Sequence, residues 1–177
     1  ISAISRTGTE PLMTDLIEHL ITALRNELKE YGEMLALLQE QQEHLMSRRI
    51  DGVLASVERI NSQTHVLRRC RAGRRDAQRL LAESITHPAP DTLPGLITHL
   101  PPEYVPLLQA LTAENSQLLA QVHQYGRQNF LMLNRAVELM QQFLGSLNPG
   151  QNLFAPYAGN GVLARRAPST LIYEAIG

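Results

Sequence analysis

Between Tyr104 and Phe143 one set of positions recurs in alternating steps of four and three: Tyr104, Leu108, Leu111, Asn115, Leu118, Val122, Tyr125, Asn129, Met132, Ala136, Leu139 and Phe143. A heptad spacing held this long specifies an α-helix with one face laid along other helices. Leu107, Leu119, Leu133, Val137, Met140 and Leu144 widen the face to two contact lines. A helix with two contact lines is expected to seat in the groove between two others. Two seam positions, Asn115 and Asn129, carry amides where apolar side chains belong. They are either buried, where an Asn costs stability but fixes register, or exposed by a slight rotation of the helix. The spacing alone favours neither.

The rest of the sequence supplies the two neighbours. Ile17, Leu20, Leu24, Leu28, Tyr31, Leu35, Leu38 and Leu45 form a stripe down a first helix, read from a Thr14 N-cap to about Ser47. Asp15 and Glu18 in its first turn suit the helix dipole. Asp51-Gly52 is read as a break. A second helix then follows, with Val53, Val57, Ile60, Thr64 and Leu67 as its stripe, resumed at Leu80, Leu81 and Ile85. So short a connection implies an antiparallel hairpin. Pro88 and Pro90 end the second helix, a short helical piece fits Thr92–Leu100, and Pro101-Pro102 precede the long third helix. The predicted fold is all-α: an elongated antiparallel three-helix bundle, or coiled coil, over residues 14–147. Residues 1–13 are read as an extension ahead of it. Residues 148–177 form a turn-rich C-terminal tail after Asn148-Pro149-Gly150.

Charge supports the hairpin. Residues 1–45 hold three basic and eight acidic side chains, and residues 46–86 hold nine basic and four acidic ones. An acidic first helix beside a basic second one is attractive, by tenths of a kcal/mol per exposed pair. A net charge of −1 excludes a globally basic nucleic-acid binder. The run Arg68, Arg69, Arg71, Arg74, Arg75, Arg79 has no interleaved aromatics to stack bases. Its face, with Arg68, Arg71, Arg74 and Arg75, is read as solvated or as a dock for an acidic partner or RNA.

Catalytic and metal chemistry find little purchase. The residues three before His19, His44, His65, His87, His99 and His123 are Leu16, Gln41, Ser62, Ser84, Leu96 and Ala120, so no Glu-x-x-His pair of a di-iron bundle is present. No phosphate loop or nucleophile elbow occurs, and Gly159-Asn160-Gly161 is a turn signal. No cofactor and no enzymatic activity are expected. The lone Cys70 offers no internal disulfide. The apolar runs are too short to span a bilayer and no signal peptide is recognised. The expectation is a soluble cytoplasmic protein without membrane insertion. Wide apolar faces would serve an intramolecular bundle or a homodimer equally.

The long acidic first helix, the break at Ser47–Gly52, the Pro-rich link and Ala113-Glu114-Asn115-Ser116-Gln117-Leu118-Leu119 on the third helix resemble the FlgN family. Tyr157-Ala158-Gly159-Asn160-Gly161 strengthens the likeness, which runs from Leu16 to Gly161. It implies a chaperone of type III flagellar export that binds the terminal helix of hook–filament junction proteins of the FlgK/FlgL type. Such a chaperone prevents their premature assembly and delivers them to export-gate or ATPase-complex components. It also implies substrate contacts at the end of the third helix and in the tail: Met132, Val137, Met140, Phe143, Leu144 and Leu147, with Leu153, Phe154, Tyr157, Val162 and Leu163. Met132 and Met140 are read first as core, though Met faces also suit adaptable peptide binding. The tail, with Leu171, Ile172 and Tyr173 near its end, is read as ordering against a partner or folding back on the third helix.

Overall fold

The computed structural model describes residues 9–85 and 92–147. They form four helices: α1 (Thr9–Met46), α2 (Ile50–Ile85), the short α3 (Leu93–Ile97) and α4 (Val105–Leu147). No strand occurs among the described residues, so the fold is the predicted all-α bundle. α1 starts before the Thr14 cap read from sequence and takes Thr14 and Asp15 into its interior. Met13 and Leu16 pack on the core there, and that burial rewards the extra turn.

α1 is the central helix. Its buried line is Ile17, Leu20, Leu24, Glu27, Tyr31, Met34, Leu38 and Gln41, a strict alternation of three and four. α2 runs antiparallel to it, as the pairs Arg59–Glu40 and Arg74–Glu27 require. α4 runs parallel to α1. Asn115 meets Leu24 and Asn129 meets Leu38, both at a separation of 91 residues. Here the sequence reading needs correction. α4 lies along α1 with little direct contact to α2, and it is α1, not the third helix, that carries two neighbours.

The α2 seam is also shifted. Val53 and Val57 are only half-buried and Leu80 is exposed, while Ser56, Ile60, Thr64, Leu67, Ala77, Leu81 and Ala82 are buried. Polar Ser56 and Thr64 can occupy that seam because their hydroxyls donate to their own helix, at Val53 O (2.6 Å) and Ile60 O (2.9 Å).

At one end of the bundle, α3 plugs the core. Thr92 caps it by accepting from Gly95 N, and Leu93, Leu96, Ile97 and Leu100 close over Ile17, Leu20, Leu81 and Leu108. At the other end the α1–α2 turn is tight. Arg49 N donates to His44 O (2.9 Å) and Arg48 N to Leu45 O (3.2 Å), a Schellman closure with Arg48 left-handed at φ 55. Gly52 lies inside the first turn of α2 and does not break it. The His44 ring rests on its backbone, and a Cβ there would come within 2.7 Å of the ring.

Two buried polar layers, two heptads apart, cross this apolar core. In one, the Glu27 carboxylate accepts from Arg74 Nε (2.6 Å) and from Tyr31 Oη (2.9 Å). Asn115 Nδ2 beside it donates to Leu24 O (3.1 Å) and Leu111 O (2.9 Å). In the other, Asn129 Nδ2 donates to Leu38 O (2.7 Å) and to Gln41 Oε1 (3.0 Å). Of the two readings of the asparagines, burial is the one realised. Burial, and then the charge of Glu27, push the Tyr31 phenol well above its ordinary range, so it stays a donor.

Two stability predictions follow from these contacts. Arg48→Gly should stabilise the protein by up to about 1 kcal/mol, because glycine adopts the left-handed conformation without a Cβ penalty. Thermal or urea unfolding measures it, and a loss of stability would contradict the turn geometry. Arg74→Ala should cost about 3 kcal/mol by stranding the buried Glu27 carboxylate, and Glu27→Leu in the same chain should recover most of that loss. A cost below 1 kcal/mol for the single change would show that Glu27 finds another partner.

Candidate functional site

The geometry of α4 past Asn129 sets the site. The buried face of the helix continues in phase, with Leu108, Asn115, Val122 and Asn129 followed at the same seven-residue spacing by Ala136 and Phe143. What stops is the partner. α1 ends at Met46, and the constant offset of 91 residues places Val137 level with it. The last ten residues of α4 therefore extend about 15 Å past the bundle. From Arg135 to Leu147 every residue is exposed.

That extension is strongly two-sided. Ala136, Val137, Leu139, Met140, Phe143, Leu144 and Leu147 cover an arc of roughly 160° at 100° per residue. Arg135, Glu138, Gln141, Gln142 and Ser146 occupy the opposite arc. Val137, Met140, Phe143 and Leu147 are 54–65% exposed, values ordinary for a surface lysine and unusual for clustered large apolar groups. The charges here cancel locally, since Arg135 Nη1 donates to Glu138 one turn on (3.2 Å). Exposed apolar faces of this kind on soluble proteins are generally places where another protein or helix packs.

The sequence-predicted residues divide into three groups. Val137, Met140, Phe143, Leu144 and Leu147 come together on this face. Met132 is half-buried at its root, where α1 still covers the helix. Leu153, Phe154, Tyr157, Val162, Leu163 and the turn Gly159-Asn160-Gly161 lie outside the described residues. Sequence reasoning passed over Leu139 as a contact, although it had placed Leu139 in the seam. It also passed over Met46, Ile50 and Leu54, which are 63–73% exposed at the same end of the bundle. Their signal was present: all three are large apolar residues beside the hairpin turn, and Met46 and Leu54 fall out of phase with the stripes.

The arginine face of α2 is less uniform than its sequence suggests. Arg68 and Arg75 are exposed. Arg74, assigned to that face, instead turns inward onto Glu27 and Gln78. Arg79 is held by Asp76 and Glu83 of its own helix. Arg71 and Arg74 line a cleft of about 220 Å³ between α2 and α4, over Glu27, Tyr31 and Asn115. Arg74 sits on the α1 side because its guanidinium answers the buried carboxylate. Cys70 is half-buried, and burial followed by the charges of Glu30 and Glu27 pushes its thiol up, away from reactivity. Among the described residues no three His, Cys, Asp or Glu side chains converge as metal ligands. No helix among them is long and apolar enough to cross a membrane.

Charging the exposed face should leave the fold intact. Phe143→Glu is expected to change stability by less than about 0.5 kcal/mol, as for surface positions generally. Thermal unfolding checks this, and a loss of more than 2 kcal/mol would mean that Phe143 is packed into the core of the bundle.

No curated protein and no solved structure matches the chain. The sequence model described as FlgN protein matches residues 13–164, which takes in nearly all of the bundle, the α4 extension and the segment containing Tyr157. A match spanning most of the chain establishes the assignment: the protein belongs to the FlgN family of flagellar export chaperones.

Proposed function

We propose that this chaperone binds the terminal helix of hook–filament junction proteins of the FlgK/FlgL type on the α4 extension. The observation that carries the reading is the in-phase continuation of the α4 seam past Met46. A partner helix laid there takes up the line that α1 leaves and lengthens the bundle by three turns. Each Leu, Met or Phe it covers contributes about 1.5–3 kcal/mol, set against the cost of association and of ordering the partner. A junction-protein helix held this way has its own apolar face occupied and cannot assemble early.

Family likeness supports the second half of the reading. The tail residues Leu153, Phe154, Tyr157, Val162 and Leu163 follow directly on the docking face. They are proposed to close over the bound helix or to meet export-gate or ATPase-complex components, with Tyr157 as the contact. The work is done in the cytoplasm, by binding and release, without catalysis or cofactor.

Calorimetric titration of purified junction proteins into the full chain tests this. Saturable binding is expected. Met140→Glu combined with Phe143→Glu should weaken it by about 100-fold, the loss expected when two buried anchors are charged. Unaltered affinity in that variant would remove the site from α4, and no binding by the unaltered chain would remove the substrate class.

A further inference from the structure

The α4 extension raises a second question, which rests on the docking reading just given: what covers its apolar face before a partner arrives. A helix of this length gains little from propensity alone and draws its stability from packing. Among the described residues nothing packs on it. The chain continues from Leu147 for 30 residues, so a candidate occupant is attached at the edge of the face.

Three features of those residues fit the role. Asn148-Pro149-Gly150 has the composition of a reversing turn, with Pro fixing φ and Gly free to take a left-handed conformation. Ser169 offers an N-cap, and Leu171, Ile172, Ala175 and Ile176 after it fall on one face of a short helix, with Glu174 as the segment's lone charged residue. The 18 residues between Gly150 and Ser169 have a root-mean-square reach of about 20–25 Å, against a face roughly 17 Å long. A linker whose reach matches the span gives a local concentration in the millimolar range. At micromolar protein that favours the attached segment over a second copy of the chain.

We propose that residues 169–176 occupy the apolar face of α4 between Ala136 and Leu147 in the partner-free protein and are displaced when a partner helix binds. The face is thereby shielded from non-specific association, and a partner must out-compete a weak internal ligand. Displacement also frees residues 169–177 only after loading, so the loaded and empty chaperones differ at the surface.

Amide hydrogen exchange of the full chain without any partner is the test. It is compared with a chain ending at Pro168 and with full-length Leu171→Asp/Ile172→Asp. Exchange over Val137–Leu147 is expected to be about tenfold faster in both altered chains, independent of protein concentration, and junction-protein affinity about tenfold higher. Equal exchange in all three chains would overturn the proposal and leave the docking reading untouched. Protection that survives truncation and grows with concentration would assign the face to a second copy, and would overturn it too. Faster exchange with no junction-protein binding to any chain would support the shielding while removing the docking reading.

Discussion

The exposed end of α4 depends on two asparagine side chains. Asn115 and Asn129, two heptads apart on α4, donate to the backbone carbonyls of Leu24 and Leu38, two heptads apart on α1. An apolar heptad seam is degenerate to sliding, since every seven-residue shift brings Leu back onto Leu. A buried amide removes the degeneracy, because a slipped register would strand it away from its acceptor. The cost is visible: the Oδ1 atoms of both asparagines are buried without a partner among the described residues. Replacing such groups with leucine is often neutral or stabilising. We attribute their presence to alignment.

That alignment determines what is exposed. With α4 held at an offset of 91 residues, α1 stops level with Val137 and the last turns of α4 stand clear. A shift of one heptad either way would shorten or lengthen the uncovered face by about 10 Å. Glu27 and Arg74 do the corresponding work between α1 and α2, and the tight turn at Ser47–Arg49 sets where the hairpin ends. Core polarity, helix length and the exposed face are thus one arrangement. The exposed end of α4 is built as an interrupted continuation of the core.

Much of this was legible in the sequence because helical periodicity is local. The heptads of α4, the α1 stripe, the α3 segment and the apolar residues from Val137 to Leu144 were each read from the sequence pattern, and Leu147 from the family resemblance. What escaped the reading is set by tertiary contact. Whether Asn115 was buried depended on a carbonyl 91 residues away. Arg74 looked like its neighbours until Glu27 drew it inward, and Ser56 displaced Val57 from the α2 seam because its hydroxyl could be satisfied locally. The central role of α1 escaped for the same reason. Periodicity shows how wide a face is, and only packing shows which helices share it.

The register of α4 against α1 sets the length of the exposed face. Spin labels at Glu43 and Asn134, also 91 residues apart, with Cys70 replaced by Ser, would measure it by electron–electron dipolar spectroscopy. The native asparagines should give one narrow distance distribution. Asn115→Leu with Asn129→Leu should leave the protein helical and stable but broaden the distribution toward heptad-shifted distances. An equally narrow, unshifted distribution in the leucine variant would contradict the account, and apolar packing alone would then set the length of the exposed face.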